Sequence, residues 1–125
     1  MAVKYTVLTN NPLVSELIES ETAHELVFID STVQSIISRC EELFLMGNYT
    51  LAADPLAGRR TRPFPCLTII LRKDAGQARA EDWNRITEYS ALNSKRIAES
   101  SNCTERLKRD YQVLDWSFTR AALNL

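Results

Sequence analysis

Twice before Gly47, a short β-branched or aromatic run breaks on polar capping residues and gives way to a helical pattern. This alternation constrains the fold more than any other feature of the chain. The first run, Lys4 to Thr9 (KYTVLT), stops at Asn10-Asn11-Pro12. Asn11 can cap a helix, and Pro12 suits the first helical position, where its missing N–H costs nothing. A short helix over Leu13 to Ser20 is expected. The second run, His24 to Ile29 (HELVFI), ends in Asp30. Ser31-Thr32-Val33-Gln34 then matches a capping box, in which Ser31 and Gln34 satisfy each other's orphan N–H groups. Behind it, Val33, Ile36, Ile37, Cys40, Leu43 and Phe44 recur on one helical face, and Gly47 is placed to end that helix in a left-handed turn.

Asn48 to Ala53 (NYTLAA) predicts a third short strand, followed by a loop from Asp54 to Pro65. Cys66 to Leu71 (CLTIIL) is an uninterrupted apolar run of strand length, which predicts burial on both faces. The remaining chain predicts two helices. One spans about Ala80 to Ser100, with a sparse stripe of Trp83, Ile86 and Ile97. The other starts at Cys103, with Asn102 as cap and Glu105 behind it, and carries Leu107, Tyr111, Leu114, Phe118 and Leu125 on one face. Asp115 either lies within that helix or restarts it after a kink. Strands alternating with helices predict an α/β fold: a small three-layer α/β/α sandwich of about four mainly parallel strands with two C-terminal helices. The direction of the fourth strand is open, because no helix is predicted before it.

A chain of 125 residues fits a single α/β domain over 1–125, large enough to bury one core without metals or disulfides. With 15 Lys plus Arg against 16 Asp plus Glu, it has a formal net charge of −1 and no overall field to recruit nucleic acid or an anionic membrane. The absence of a membrane-spanning run and of a basic-then-apolar start predicts a cytoplasmic protein. Cys40, Cys66 and Cys103 lack C-x-x-C spacing and are expected as reduced thiols, two of them buried. No metal site, nucleotide-binding glycine motif or cofactor is expected. The one histidine, His24, precedes its strand on the side of the sheet away from the candidate turns, so a His-based catalytic group has no candidate.

In an open α/β sheet, ligands bind beyond the carboxyl ends of the strands, where helix N-termini present unpaired N–H groups. Three segments converge there: Asn10-Asn11-Pro12, Asp30-Ser31-Thr32 and the loop from Asp54 to Arg62. The candidate ligand-binding residues are Asn10, Asn11, Asp30, Ser31, Asp54, Gly58, Arg59, Arg60 and Arg62. The arginines form a local basic cluster able to grip carboxylate or phosphate. Each piece also has a plain structural reading, as a helix cap or a solvated loop. Their joint placement, and a twelve-residue loop without regular structure, carry the functional reading.

Read together, TNNPLV, the glycine-terminated helix leading into NYTLAADPLAG, the P-x-P before an apolar strand, and RDYQVLDWSF resemble the GrdX-like proteins, over nearly the whole chain and in the same order. These small proteins are encoded beside the glycine, sarcosine and betaine reductase genes of amino-acid-fermenting anaerobes. By that resemblance, Asn10, Asn11 and Pro12 match the family's first turn, and Pro55, Leu56 and Gly58 match its Pro-Leu-small-Gly loop. Two places depart from the pattern: Asp54 stands where members commonly carry His, and Arg59-Arg60-Thr61-Arg62 where they carry a polar stretch. The resemblance implies a metabolic setting and no reaction.

Three readings of function follow. The first is a non-enzymatic accessory protein that holds a small anionic metabolite or the surface of a protein partner. The second is a small enzyme using Asp30 or Asp54 as general base on an anionic substrate. The third is a structural subunit that forms a homodimer through an apolar stripe of Trp83, Trp116 and Phe118.

Overall fold

The chain builds a four-stranded sheet of order β2-β1-β4-β3, with β1 at Tyr5–Thr9, β2 at Glu25–Phe28, β3 at Tyr49–Leu51 and β4 at Thr68–Lys73. The computed structural model describes residues 4–55, 65–73, 76–96 and 105–125. β1 and β4 are the inner strands and bury side chains on both faces, which is why Cys66 to Leu71 reads as continuous apolar sequence. Leu8, Ile69 and Leu71 face helices α2 (Val33–Met46) and α3 (Ala80–Arg96), while Val7 and Ile70 face the side of α1 (Pro12–Glu21) and α4 (Glu105–Ala122). The first face holds most of the large, fully buried side chains, including Leu8, Ile36, Ile37, Ile69, Leu71 and Ile86. At roughly 1.5–3 kcal/mol for each such side chain, it stabilises the fold more than the α1–α4 face does.

The sheet is mixed, not mainly parallel. β1 and β2 pair in parallel, but β4 runs antiparallel to β1 and to β3. A parallel partner requires a crossover that carries the chain back along the sheet. Here the connection leaves β3 after Leu51 and re-enters at Thr68, beside Thr9, on the same edge of the sheet, so β4 returns antiparallel. The consequence for the site is direct: the carboxyl ends of β1, β2 and β3 and the start of β4 share one edge.

Local signals place the helices, with two corrections. Asn11 caps α1, its side chain accepting from the Leu13 N–H with Pro12 behind it, and Gly47 ends α2 at φ 92°. The cap of α2 is Thr32 and not Ser31, and it accepts from the Ser35 N–H at 3.2 Å. The expected Ser31–Gln34 box gives way because the Ser31 carbonyl and hydroxyl are engaged elsewhere, with Asn10 and Ser35, and Gln34 accepts from Asn93. α3 opens with half of a capping box, Asp82 accepting from the Arg79 N–H at 3.1 Å.

The second correction concerns α4. The stripe expected to face the core is half exposed at Leu107, Leu114 and Leu125, and the residues buried within the helix are Asp115 and Thr119. Asp115 neither kinks nor restarts the helix, which runs unbroken from Glu105 to Ala122. Ile97, Asn102 and Cys103 lie outside the described residues.

Candidate functional site

The shared edge is tied together by the two asparagines of the first turn. Asn10 reaches in two directions: its Nδ2 donates to the Ser31 carbonyl at 2.9 Å, and its Oδ1 accepts from the Leu67 N–H at 2.8 Å. One amide therefore joins the ends of β1 and β2 to the entrance of β4. Asn11 is fully buried. Besides capping α1 with its Oδ1, it donates from Nδ2 to the Gln112 carbonyl and to Asp115 Oδ2, each at 3.0 Å.

Asp115 anchors a buried polar network. Its Oδ2 also accepts from Thr68 Oγ1 at 2.6 Å, and Thr68 Oγ1 meets Thr9 Oγ1 at 2.8 Å. Thr9 in turn receives the Asn11 N–H at 3.0 Å. A buried carboxylate is costly unless it is hydrogen-bonded, and here the turn, β4 and α4 supply the partners. The network therefore positions α4 on the sheet through directional bonds, in place of the apolar stripe that the spacing suggests.

The end of β3 is more open. Ala53 and Asp54 line two clefts. One, of about 90 Å³, lies against Thr68, Ile70, Phe118, Thr119 and Ala122 of β4 and α4. The other, of about 190 Å³, lies against Arg79, Glu81, Asp82 and Arg85 at the start of α3. Asp54 ion-pairs with Arg85 at 2.8 Å, and Arg85 reaches Glu81, one helical turn back, at 3.1 Å. Glu81 first and Asp54 second hold the Arg85 guanidinium firmly in its charged form.

The structure brings some candidate residues together and separates others. Asn10 and Ser31 meet through the side chain of the one and the carbonyl of the other. Asp30 and Ser31 are exposed at the end of β2. Asp54 follows β3, at the opposite edge of the sheet, with β1 and β4 between. Three strand spacings amount to roughly 14 Å. Asp30 and Asp54 thus do not share a reacting centre. Gly58, Arg59, Arg60 and Arg62 lie outside the described residues.

His24 sits at the far end of β1, its Nδ1 accepting from the Tyr5 N–H at 3.0 Å, and burial with the nearby Lys4 lowers its pKa. It is remote from the shared edge. Cys40 and Cys66 are buried, and burial chiefly, helped by Glu41 and Asp82, pushes the Cys40 thiol far above its ordinary pKa. Among the described residues no three His, Cys, Asp or Glu side chains are grouped to hold a metal ion. No described helix is long and apolar enough to cross a membrane. The aromatic residues of the expected dimer stripe are engaged within the fold: Trp83 meets Phe44 edge to face at 5.2 Å, and Trp116 packs beside Val7 and Ile70.

The sequence pattern of the GrdX-like protein family matches residues 6–124. The chain belongs to that family. No curated protein and no solved structure matches it. For this GrdX-like protein, the edge that ties its turns together is built from the same segments that carry the family resemblance. TNNPLV supplies the Asn10–Asn11 junction, and RDYQVLDWSF supplies Gln112 and Asp115. In NYTLAADPLAG, Asp54 carries the ion pair to Arg85.

Four residues of this GrdX-like edge escape a reading by sequence: Thr68, Arg79, Arg85 and Asp115. The Glu81–Arg85 pair is visible as an i, i+4 spacing. Asp115 could have been noticed as an acid set between Leu114 and Trp116 in an amphipathic helix. That Arg85 turns to Asp54, and Asp115 to Thr68, depends on chain crossings with no local signature.

Proposed function

We propose that the chain is a single cytoplasmic α/β domain, a small three-layer α/β/α sandwich, that serves as a non-catalytic accessory protein in a glycine reductase-type system. It holds a small anionic metabolite, or an anionic group on a protein partner, at the corner where β3 ends. The observation that carries this reading is Arg85, held beside Asp54 in the cleft that also receives Arg79. A guanidinium has five N–H donors in a fixed fork, so two carboxylate contacts leave donors for a carboxylate or phosphate.

Charge decides which arginines matter. In the described cleft Asp54, Glu81 and Asp82 outnumber Arg79 and Arg85, so an anion binds only if Arg59, Arg60 and Arg62 tip the balance. Asp30 and Ser31, at the other end of the shared edge, are the remaining candidate contacts. The buried asparagines Asn10 and Asn11 shape the edge for both.

Thermal shift tests this reading with amino acids, acyl phosphates, nucleotides and inorganic phosphate as probes. A ligand at a hundredfold excess over Kd adds about 2.7 kcal/mol, a shift of several degrees for a domain of this size. The expected result is a shift for one anionic class that disappears in the Arg59→Ala/Arg60→Ala variant. If no probe shifts the wild type, and immobilised protein retains no partner through Arg59 and Arg60, the reading fails.

A further inference from the structure

The cleft between the end of β3 and the start of α3 contains two charged groups that the fold leaves unmatched. Asp82, which lines it, is only 4 % exposed, and its Oδ2 accepts from the Arg79 N–H at 3.1 Å. Among the described residues no donor reaches its Oδ1. A buried carboxylate oxygen is costly without a donor, so this one points to a donor from outside the chain. Arg79 is the second group. Its backbone N–H serves Asp82, while its exposed guanidinium pairs with no acid among the described residues. Arg85 differs, since Asp54 and Glu81 both hold it.

These charges limit the occupant. Asp54, Glu81 and Asp82 share the cleft with Arg79 and Arg85. A simple anion meets an excess of acids there, and a simple amine meets the open guanidinium of Arg79. Among the described residues no three His, Cys, Asp or Glu side chains are grouped to hold a metal ion. A molecule with both an ammonium and a carboxylate satisfies the two unmatched groups at once. An ammonium brings three N–H donors for carboxylate oxygens, and the guanidinium fork binds a carboxylate at two points. The cleft measures about 190 Å³, below the roughly 300–1,000 Å³ of pockets for drug-sized ligands. Its two recognition groups belong to one turn of chain, because the Asp82 carboxylate rests on the N–H of Arg79 itself. The ligand is therefore short, with its two charges close together.

We propose that this cleft binds a small free amino acid, its ammonium on Asp82 and its carboxylate on Arg79. The inference rests on the reading of the cleft as a ligand site and names the ligand class: the anionic group is the carboxylate of a zwitterion. Arg85 neutralises Asp54 and Glu81, which leaves Asp82 as the acid that recognises the ammonium.

Isothermal titration of the full chain near neutral pH tests this with alanine, serine and β-alanine, and with propionate, ethylamine, 6-aminohexanoate and inorganic phosphate as controls. At least one of the three amino acids should bind about tenfold or more tightly than every control, because each control lacks one charge or carries the two far apart. Asp82→Asn keeps an oxygen for the Arg79 N–H and should abolish the preference over propionate. Arg79→Gln, at an exposed side chain, should abolish the preference over ethylamine, and it carries the test alone if Asp82→Asn lowers the thermal midpoint of the free protein. Propionate or phosphate bound as tightly as the amino acids overturns the inference and leaves the anion reading standing. Ethylamine or 6-aminohexanoate bound as tightly overturns it too, as do preferences that survive in both variants. No binding by any probe overturns the inference together with the reading of the cleft as a small-molecule site.

Discussion

Asn11 and Asp115 show how a single side chain can have a local and a distant task at once. The Asn11 carbonyl oxygen caps α1, a role that follows from its place before Pro12, while its amide nitrogen bonds Gln112 and Asp115 more than a hundred residues away. Losing a cap costs about 0.5–2 kcal/mol, and leaving a buried polar group unpaired costs about 1–3 kcal/mol. Asn11→Ala should thus destabilise the protein by about 2–4 kcal/mol in urea unfolding. Asn11→Asp, which keeps the cap but sets a second carboxylate against Asp115, should not restore stability. If Asn11→Ala costs no more than an ordinary cap, the Asp115 network does not hold α4. The cap was legible in the sequence, whereas the partner was not, because no spacing rule relates positions so far apart.

At the scale of elements, the heptad-like stripe of α4 is the instructive departure. Leu107, Tyr111, Leu114 and Phe118 recur as a core-facing stripe should, yet the helix buries Asp115 and Thr119 and lets Leu114 stand 42 % exposed. The cause is geometric: the helix is rotated so that Asp115 meets Thr68, and hydrogen bonds fix that rotation. Just beyond the helix, Leu123 is buried with Val7, Val14, Ile18 and Ile70. Leu123→Ala should accordingly cost about 2–5 kcal/mol and Leu114→Ala under about 1 kcal/mol, read from denaturant midpoints. Equal costs would return α4 to the orientation that its spacing suggests. Periodicity finds a helix and its apolar side, but it cannot rank an apolar stripe against a buried acid that has found its partners.

For the whole molecule, His24 links stability to pH. Burial, then Lys4, lowers its pKa below the ordinary 6.5, and its Nδ1 is committed as an acceptor from Tyr5. Below pH 6.5 the unfolded chain binds this proton more readily than the folded one. Stability is therefore full above that pH and falls as pH drops toward the folded-state pKa. Urea midpoints measured on either side of 6.5 should fall on the acid side, and His24→Asn, which keeps an acceptor but does not titrate, should flatten that fall. An unchanged slope in the variant would assign the pH dependence to other groups.

By itself the sequence determined what is local. Backbone propensity and capping placed β1, β2, β3, β4 and the helices near their observed bounds, named Asn11 and Gly47 as termini, and marked Cys66 to Leu71 as interior strand. It also located the edge at which three strands end, since polar residues follow β1 at once, β2 after Ile29 and β3 after Ala52-Ala53. Tertiary structure alone decided the direction of β4, the rotation of α4, and the pairings of Asp54 with Arg85 and Asp115 with Thr68. The physical reason is range. Dihedral preferences, caps and side-chain periods act over a few residues, whereas strand order and buried polar partners depend on how distant segments compete for the same space and the same hydrogen bonds.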